Sequence, residues 1–191
     1  MLSASAYTSF ALRRQVTSWT GGAAVGSGQA SGRAHAMSYF LQVEGIPGTS
    51  TARGREKWLE VDSIDWGVSL STDGAAGRGG ARTGRATARP VTVTTPVSSA
   101  SPALFLACVQ GRSVPEATFE ATLDGQAGPL VTLRIELTEV LLGTFDLSGS
   151  DGQPRPDTRF SLDYREITIT TFAVSDDGSQ GTESTATWTR R

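Results

Sequence analysis

A nucleophilic hydrolase needs a base beside its nucleophile, and this chain offers one histidine, His35, and one cysteine, Cys108. Ser–His–Asp and Cys–His mechanisms both place the imidazole inside a folded site. His35 instead falls in a Ser-, Ala-, Gly- and Thr-rich stretch that lacks the composition of a folded core. A zinc centre is equally short of nitrogen and sulfur ligands. Glu60 and Asp62 share a strand face, an arrangement that could pair two carboxylates across a glycosidic bond. Exposed acids on a solvated sheet face are its ordinary explanation. The sequence therefore assigns no catalytic residue, no metal ligand and no cofactor site, and the expectation is a protein that is not an enzyme.

A second candidate chemistry is phosphate binding by the glycine-rich stretch 74–86. Gly79 and Gly84 have the spacing of a phosphate-binding loop, but Arg85 and Ala86 stand where Lys and Ser or Thr would reach phosphate and magnesium. Pro90 and the β-branched run Val91-Thr92-Val93-Thr94-Thr95 then announce a strand where that motif requires a helix. What remains is a long loop, Asp73 to Arg89, carrying Arg78, Arg82, Arg85 and Arg89 with no acid between them. Loops of this length inside a compact domain are functional or disordered. These four arginines are the candidate interface residues.

The elements that must carry such a loop are read from charge and periodicity. Residues 1–36 hold three arginines and no acid, leaving fourteen basic against nineteen acidic groups beyond them, a net charge of −5. Such a domain is no electrostatic partner for nucleic acid or anionic lipid, and no apolar run approaches the ~20 residues of a membrane helix. With a single cysteine, no intrachain disulfide forms. Residues 1–36 read as a disordered leader, since they bury too little apolar surface to offset their ordering entropy. Arg13-Arg14 and Ala34-His35-Ala36 mimic export signals but lack an apolar core segment. Met37, opening the patterned part, is also where the true start would lie if the upstream one were mis-called.

From Met37 the period is two. Tyr39, Leu41 and Val43 alternate with Phe40, Gln42 and Glu44; Ile64, Trp66, Val68 and Leu70 alternate with Ser63, Asp65, Gly67 and Ser69, and the same alternation returns in Phe119, Ala121 and Leu123 and in Val131, Leu133, Ile135 and Leu137. These are half-buried strands in antiparallel pairing. Asp124-Gly125 and Asp176-Asp177-Gly178 are hairpin chemistry. The apolar phase slips between Tyr164 and Ile167, which calls for a bulge or break near Arg165-Glu166. One segment differs. Ser101 as N-cap, Pro102 in the first turn and Gly111 as terminator frame a helix of about nine residues. Leu104/Cys108 and Phe105/Val109 give it an apolar face, so Phe105 is expected in the core and Cys108 beside it as a small buried side chain, with Gln110 exposed.

The order of these segments resembles the haemolysin-coregulated (Hcp) proteins of type VI secretion. The resemblance rests on Tyr39 to Gly48, on Lys57-Trp58-Leu59-Glu60-Val61 and on Ile64-Asp65-Trp66-Gly67-Val68-Ser69. It continues through Pro90 to Val93, Ser101-Pro102-Ala103-Leu104-Phe105, Phe160 to Ile169, and Trp188. It spans 37–191 and leaves 1–36 outside. The fold it implies is mainly β: a compact antiparallel β-barrel of two packed sheets with one short α-helix. The role it implies is that of a structural tube subunit. Copies would form homohexameric rings that stack into the inner tube of a type VI secretion or related contractile injection system, as phage tail-tube proteins do. The implied partners are the chain itself, a contractile sheath, tip proteins and lumenal effectors, with assembly in the cytoplasm and secretion on firing. It also implies a long loop at the contact between rings, which is where Arg78, Arg82, Arg85 and Arg89 would act. The alternative from another class is a monomeric β-sandwich that binds carbohydrate or a partner peptide, with Trp58 and Trp66 as platforms. Their place in apolar strands favours packing instead.

Overall fold

The alternating segments become strands because each buries one row of side chains and turns the other outward. The computed structural model describes residues 37–70, 86–125, 128–175 and 179–190. The expected leader, most of the Asp73–Arg89 loop and the Asp176–Gly178 turn lie outside these residues. In chain order the elements are β1 (Met37–Val43), β2 (Leu59–Val61), β3 (Ser63–Asp65), β4 (Val68–Leu70), β5 (Ala86–Ala88) and β6 (Val91–Pro96). There follow α1 (Ser101–Val109), β7 (Ser113–Gly125), β8 (Gly128–Ser148), β9 (Asp157–Asp163), β10 (Glu166–Val174) and β11 (Gln180–Thr189).

All the strand pairings are antiparallel. One sheet of nine strands runs β2–β1–β7–β8–β9–β6–β3, with β10 paired to β8 and β11 to β10; β4 and β5 form a separate ribbon. The class is the expected one, mainly β with a short helix. The pairing is not an unbroken ring of strands. Its two ends, β2 and β3, are consecutive halves of one segment joined at Asp62, whose amide donates to the Thr94 carbonyl at 2.9 Å. The core enclosed between them holds Leu41, Leu59, Val91, Val93, Phe119, Leu137, Val140, Leu142, Phe160 and Leu162, all essentially buried.

β8 organises the sheet. One edge carries β7; the other carries β10 along Leu133–Thr138 and β9 along Leu141–Ser148. At the junction both strands change phase together. Buried Ile135 and Leu137 give way to Val140 and Leu142, while opposite them Leu162 and Tyr164 give way to Ile167. Glu139 adopts φ 49° at the point of change, a left-handed conformation that costs a non-glycine residue energy and turns the strand. Arg165 across from it donates its amide to the Thr138 carbonyl at 3.1 Å. The expected break near Arg165-Glu166 is one side of this two-sided corner.

The helix keeps Pro102 in its first turn and Gly111 at its end, but Ser101 is not its N-cap, and it rolls differently. Its N-cap is Ala100, and Ser101 begins the helix itself, its hydroxyl accepting from the Ser98 amide at 3.1 Å. Gly111 at φ 60° closes the far end, with the Arg112 amide donating to Ala107. Leu104 and Ala107 are buried, Cys108 is half-buried, and Phe105 is 47% exposed. The expectation that Phe105 enters the core is therefore wrong. Residues 104–109 are all apolar, so their spacing does not single out one face, and packing selects the stripe through Leu104. Phe105 instead meets Phe145 edge-on at 5.7 Å. Two further expectations shift. Val68 and Leu70 are exposed, because the chain leaves the core after Trp66 into the β4–β5 ribbon. The β7–β8 ladder runs on past Asp124, which pairs with Pro129, to Gly125 opposite Gly128, so Asp124-Gly125 is strand.

Candidate assembly surfaces

Of the four candidate arginines, the structure describes Arg89; Arg78, Arg82 and Arg85 lie outside the described residues. Arg89 stands at the root of the β4–β5 ribbon. Its amide donates to the Gly67 carbonyl at 2.9 Å, and its exposed guanidinium reaches Asp65 at 3.5 Å. A contact that long and that solvated fixes little. Gly67 lies beneath it, where a Cβ would push the Arg89 guanidinium, 2.8 Å away, outward toward solvent.

Behind this root the sequence hid a polar hub. Trp66 Nε1 donates to Tyr164 Oη at 2.6 Å, and that hydroxyl donates on to the Arg89 carbonyl at 3.4 Å. Arg190 lies 5.9 Å from the centre of the Tyr164 ring, pairs with Asp163, and donates to the Ala88 carbonyl at 2.9 Å. Burial pushes the Tyr164 phenol above its ordinary pKa, against the opposing pull of the Trp66 hydrogen bond and the Arg190 charge. The hub joins β5, β9 and the end of β11, so the ribbon is held to the sheet through side chains from distant parts of the sequence. Trp66 is thereby a structural residue packed on the core.

A buried ionic clasp lies on the other face of the sheet. Glu120, 5% exposed in the middle of β7, takes Arg55 Nε and Nη2 on one oxygen at 2.8 and 2.6 Å. It takes Arg134 Nε and Nη2 on the other at 2.9 and 2.8 Å. Arg55 comes from the loop between β1 and β2 and lies over Phe40; Arg134 lies over Phe172. Each guanidinium sets two nitrogens against a single carboxylate oxygen, so both oxygens are charge-paired and their hydrogen bonds are charge-assisted. This clasp anchors the 44–58 loop. No sequence signal announces it, since Arg55 and Glu120 are 65 residues apart.

Large apolar side chains exposed on the surface include Phe105, Leu106 and Val109 on α1 and Leu141 and Leu147 on β8. Glu60 and Asp62 are both exposed, and Asp62 pairs with Arg155 at 2.9 Å. Among the described residues there is no group of three or more metal-ligating side chains and no helix long and apolar enough to cross a membrane.

Residues 40–171 match the family model described as "Type VI secretion system effector, Hcp". The chain belongs to the Hcp family. As an Hcp protein it is a tube subunit of type VI secretion. A solved structure described as a type six secretion system protein matches at 25% identity and TM-score 0.76, covering 81% of this chain and 96% of that one. Two further Hcp structures show the shared fold. Hcp1 from Salmonella typhimurium matches at 24% identity and TM-score 0.66, over 81% and 95% of the two chains. Hcp1 from E. coli EAEC 042, solved as a double mutant, matches at 22% and 0.62, over 80% and 97%. No curated protein matches the sequence.

Proposed function

We propose that this Hcp subunit closes into homohexameric rings, that the rings stack into a tube, and that the tube delivers effectors from its lumen when a contractile sheath drives it and its tip protein outward. The supporting observation is the family match across 40–171, carried by a fold that superposes on Hcp structures along almost their whole length. In this reading the protein is purely structural, assembles in the cytoplasm and leaves the cell on firing. The ordered domain is 37–191, and residues 1–36 are dispensable for folding and ring formation.

The loop from Asp73 to Arg89 makes the contact between successive rings. Its arginines, on a subunit otherwise net negative, meet complementary charge on the next ring. Each exposed pair is worth only ~0–1 kcal/mol, but a closed ring repeats it around the symmetry axis. Replacing Arg78, Arg82 and Arg85 by Ser should leave single rings intact and shorten their stacks, as raised salt should in the unmodified protein. Native mass spectrometry and negative-stain imaging across a salt series test both parts. A strict monomer at high concentration overturns the ring and favours a monomeric binding module. Unchanged stack lengths in the triple variant remove the loop from the contact.

A further inference from the structure

We infer that the gap between β5 and β11 is a strand-acceptor slot, filled by an extended segment of a neighbouring copy of this chain. The proposal rests on the reading that the subunit assembles with itself, and it goes further by naming the surface that does so.

The argument starts from backbone direction. Successive residues of an antiparallel strand point their N–H and C=O groups alternately to one side and the other. In β11, Arg190 donates its amide to the Arg165 carbonyl, and the register pairs Ile167 with Trp188 and Ile169 with Ala186. Residues 186, 188 and 190 therefore bond toward β10, and Thr185, Thr187 and Thr189 present their backbone groups outward. β11 is ten residues long, has β10 as its one ladder partner, and is exposed along nearly its whole length. In β5, Arg89 bonds to Gly67 in β4's direction, so Ala86 and Ala88 point the other way. The Ala88 carbonyl confirms this direction, because its partner is the Arg190 side chain at the end of β11.

These two open edges form the walls of one groove of about 700 Å³, lined by Ala86, Thr87, Ala88, Thr187, Trp188, Thr189 and Arg190. Its chemistry suits a strand better than a small ligand. β11 turns the backbone groups of Thr185, Thr187 and Thr189 toward the groove, and β5 those of Ala86 and the Ala88 amide, the Ala88 carbonyl being held by Arg190. The alanines on β5 leave room for close approach, the threonines on β11 favour extended structure, and the single charge, Arg190, is engaged with Asp163 and Ala88. Long exposed strand edges are normally bulged, charged or covered. Among the described residues nothing covers this one, and a protein that assembles from identical copies supplies a covering strand at matching stoichiometry. Contact between unlike surfaces, slot on one copy and strand on the next, is also the kind that closes into rings.

The test uses the full chain and separates backbone from side chain. Thr187→Pro deletes an outward amide that β10 does not use, a position where an edge strand accepts proline. Thr187→Ala removes the same hydroxyl, which pairs with Thr168, and leaves the amide. Assembly is followed by native mass spectrometry against concentration, and folding by circular dichroism and thermal melting. The expected result is that Thr187→Pro raises the concentration for half-assembly about tenfold or more, the scale of losing backbone hydrogen bonds, while Thr187→Ala assembles like the unmodified protein. Hydrogen exchange on the unmodified protein gives a second reading that survives a folding defect in the variant: the outward amides of Thr185, Thr187, Thr189, Ala86 and Ala88 should exchange fast in the isolated subunit and become protected on assembly, unlike their neighbours already bonded to β10 and β4. Equal assembly of both variants, or exchange at these outward amides that is already slow in the isolated subunit, overturns the proposal and in the second case places the chain's own segment in the slot. If the unmodified protein never assembles, the ring reading falls first, and that outcome is distinguishable from rings that form with the slot still exchanging freely.

Discussion

Replacing Glu120 by Ala would dismantle the clasp that ties the 44–58 loop to the sheet. The substitution removes two charge-assisted hydrogen bonds and the ion pairs beside them, and leaves two guanidiniums with no carboxylate between them. Their situations differ. The Arg134 side chain is 38% exposed and can turn to water, whereas that of Arg55 is 10% exposed and sits beside Phe40. The cost is therefore set mainly by one stranded buried charge, about 3–5 kcal/mol when a buried pair loses one member. For a domain of this size each kcal/mol moves the midpoint by about 2–4 °C, so a fall of roughly 6–20 °C is expected. Arg134→Met keeps the Arg55–Glu120 pair and should cost about 1 kcal/mol, with the Arg55→Met/Glu120→Ala double variant recovering part of the single loss. Urea unfolding followed by tryptophan fluorescence measures all four proteins. A Glu120→Ala loss below about 1 kcal/mol would show that Arg55 escapes to solvent and that the clasp does not anchor the loop.

Leu104→Ala should cost about 2–5 kcal/mol and Phe105→Ala markedly less, because only the first opens a buried cavity; chemical denaturation of the pair checks how the helix is rolled. Gly48→Ala should destabilise by about 1–3 kcal/mol, since its Cβ would overlap the Trp58 carbonyl group and the Leu59 amide nitrogen, backbone that cannot move aside cheaply; thermal melting reads the loss. Tyr164 has its pKa raised by burial, so its folded form holds the proton more tightly than the unfolded one. The stability this gives is complete below about pH 10 and drains away as pH climbs through the folded value. Tyr164→Phe should show a shallower alkaline decline than the unmodified protein, together with a loss of about 1–2 kcal/mol at neutral pH from the stranded Trp66 donor.

The local features were the legible ones. Pro102 and Gly111 bound the helix correctly, because capping chemistry acts within a few residues, and the slip between Tyr164 and Ile167 marked a real corner, because a strand cannot bury both phases on one face. Phe105 was misplaced since an all-apolar helix segment carries no directional signal. Val68 and Leu70 alternate like core residues yet project into a ribbon, and no local pattern distinguishes an apolar row facing the core from one facing outward. Asp124-Gly125 has turn chemistry but continues β7, since pairing opposite Gly128 outweighs local preference. The Arg55–Glu120–Arg134 clasp and the Trp66–Tyr164–Arg190 hub were invisible for a different reason: each joins residues that only the finished topology brings together.

The joining of β2 to β3 through Asp62 has a kinetic consequence. The β7–β8 and β10–β11 hairpins close over short connections and can form early, whereas β1 must find β7 some 80 residues away and β6 must find β9 over about 70. The segment 59–65 has registers on both β1 and β6 only after those two strands have docked, so it is the last part of the sheet to gain its neighbours. Interactions made after the rate-limiting step govern how fast a protein comes apart more than how fast it forms. Weakening this seam, for instance by removing the Asp62–Arg155 pair, should therefore appear in the unfolding arm of a chevron plot and leave the folding arm almost unmoved. A subunit waiting to be incorporated would thus owe its lifetime to seven residues, of which Leu59 and Val61 are the ones buried in the core.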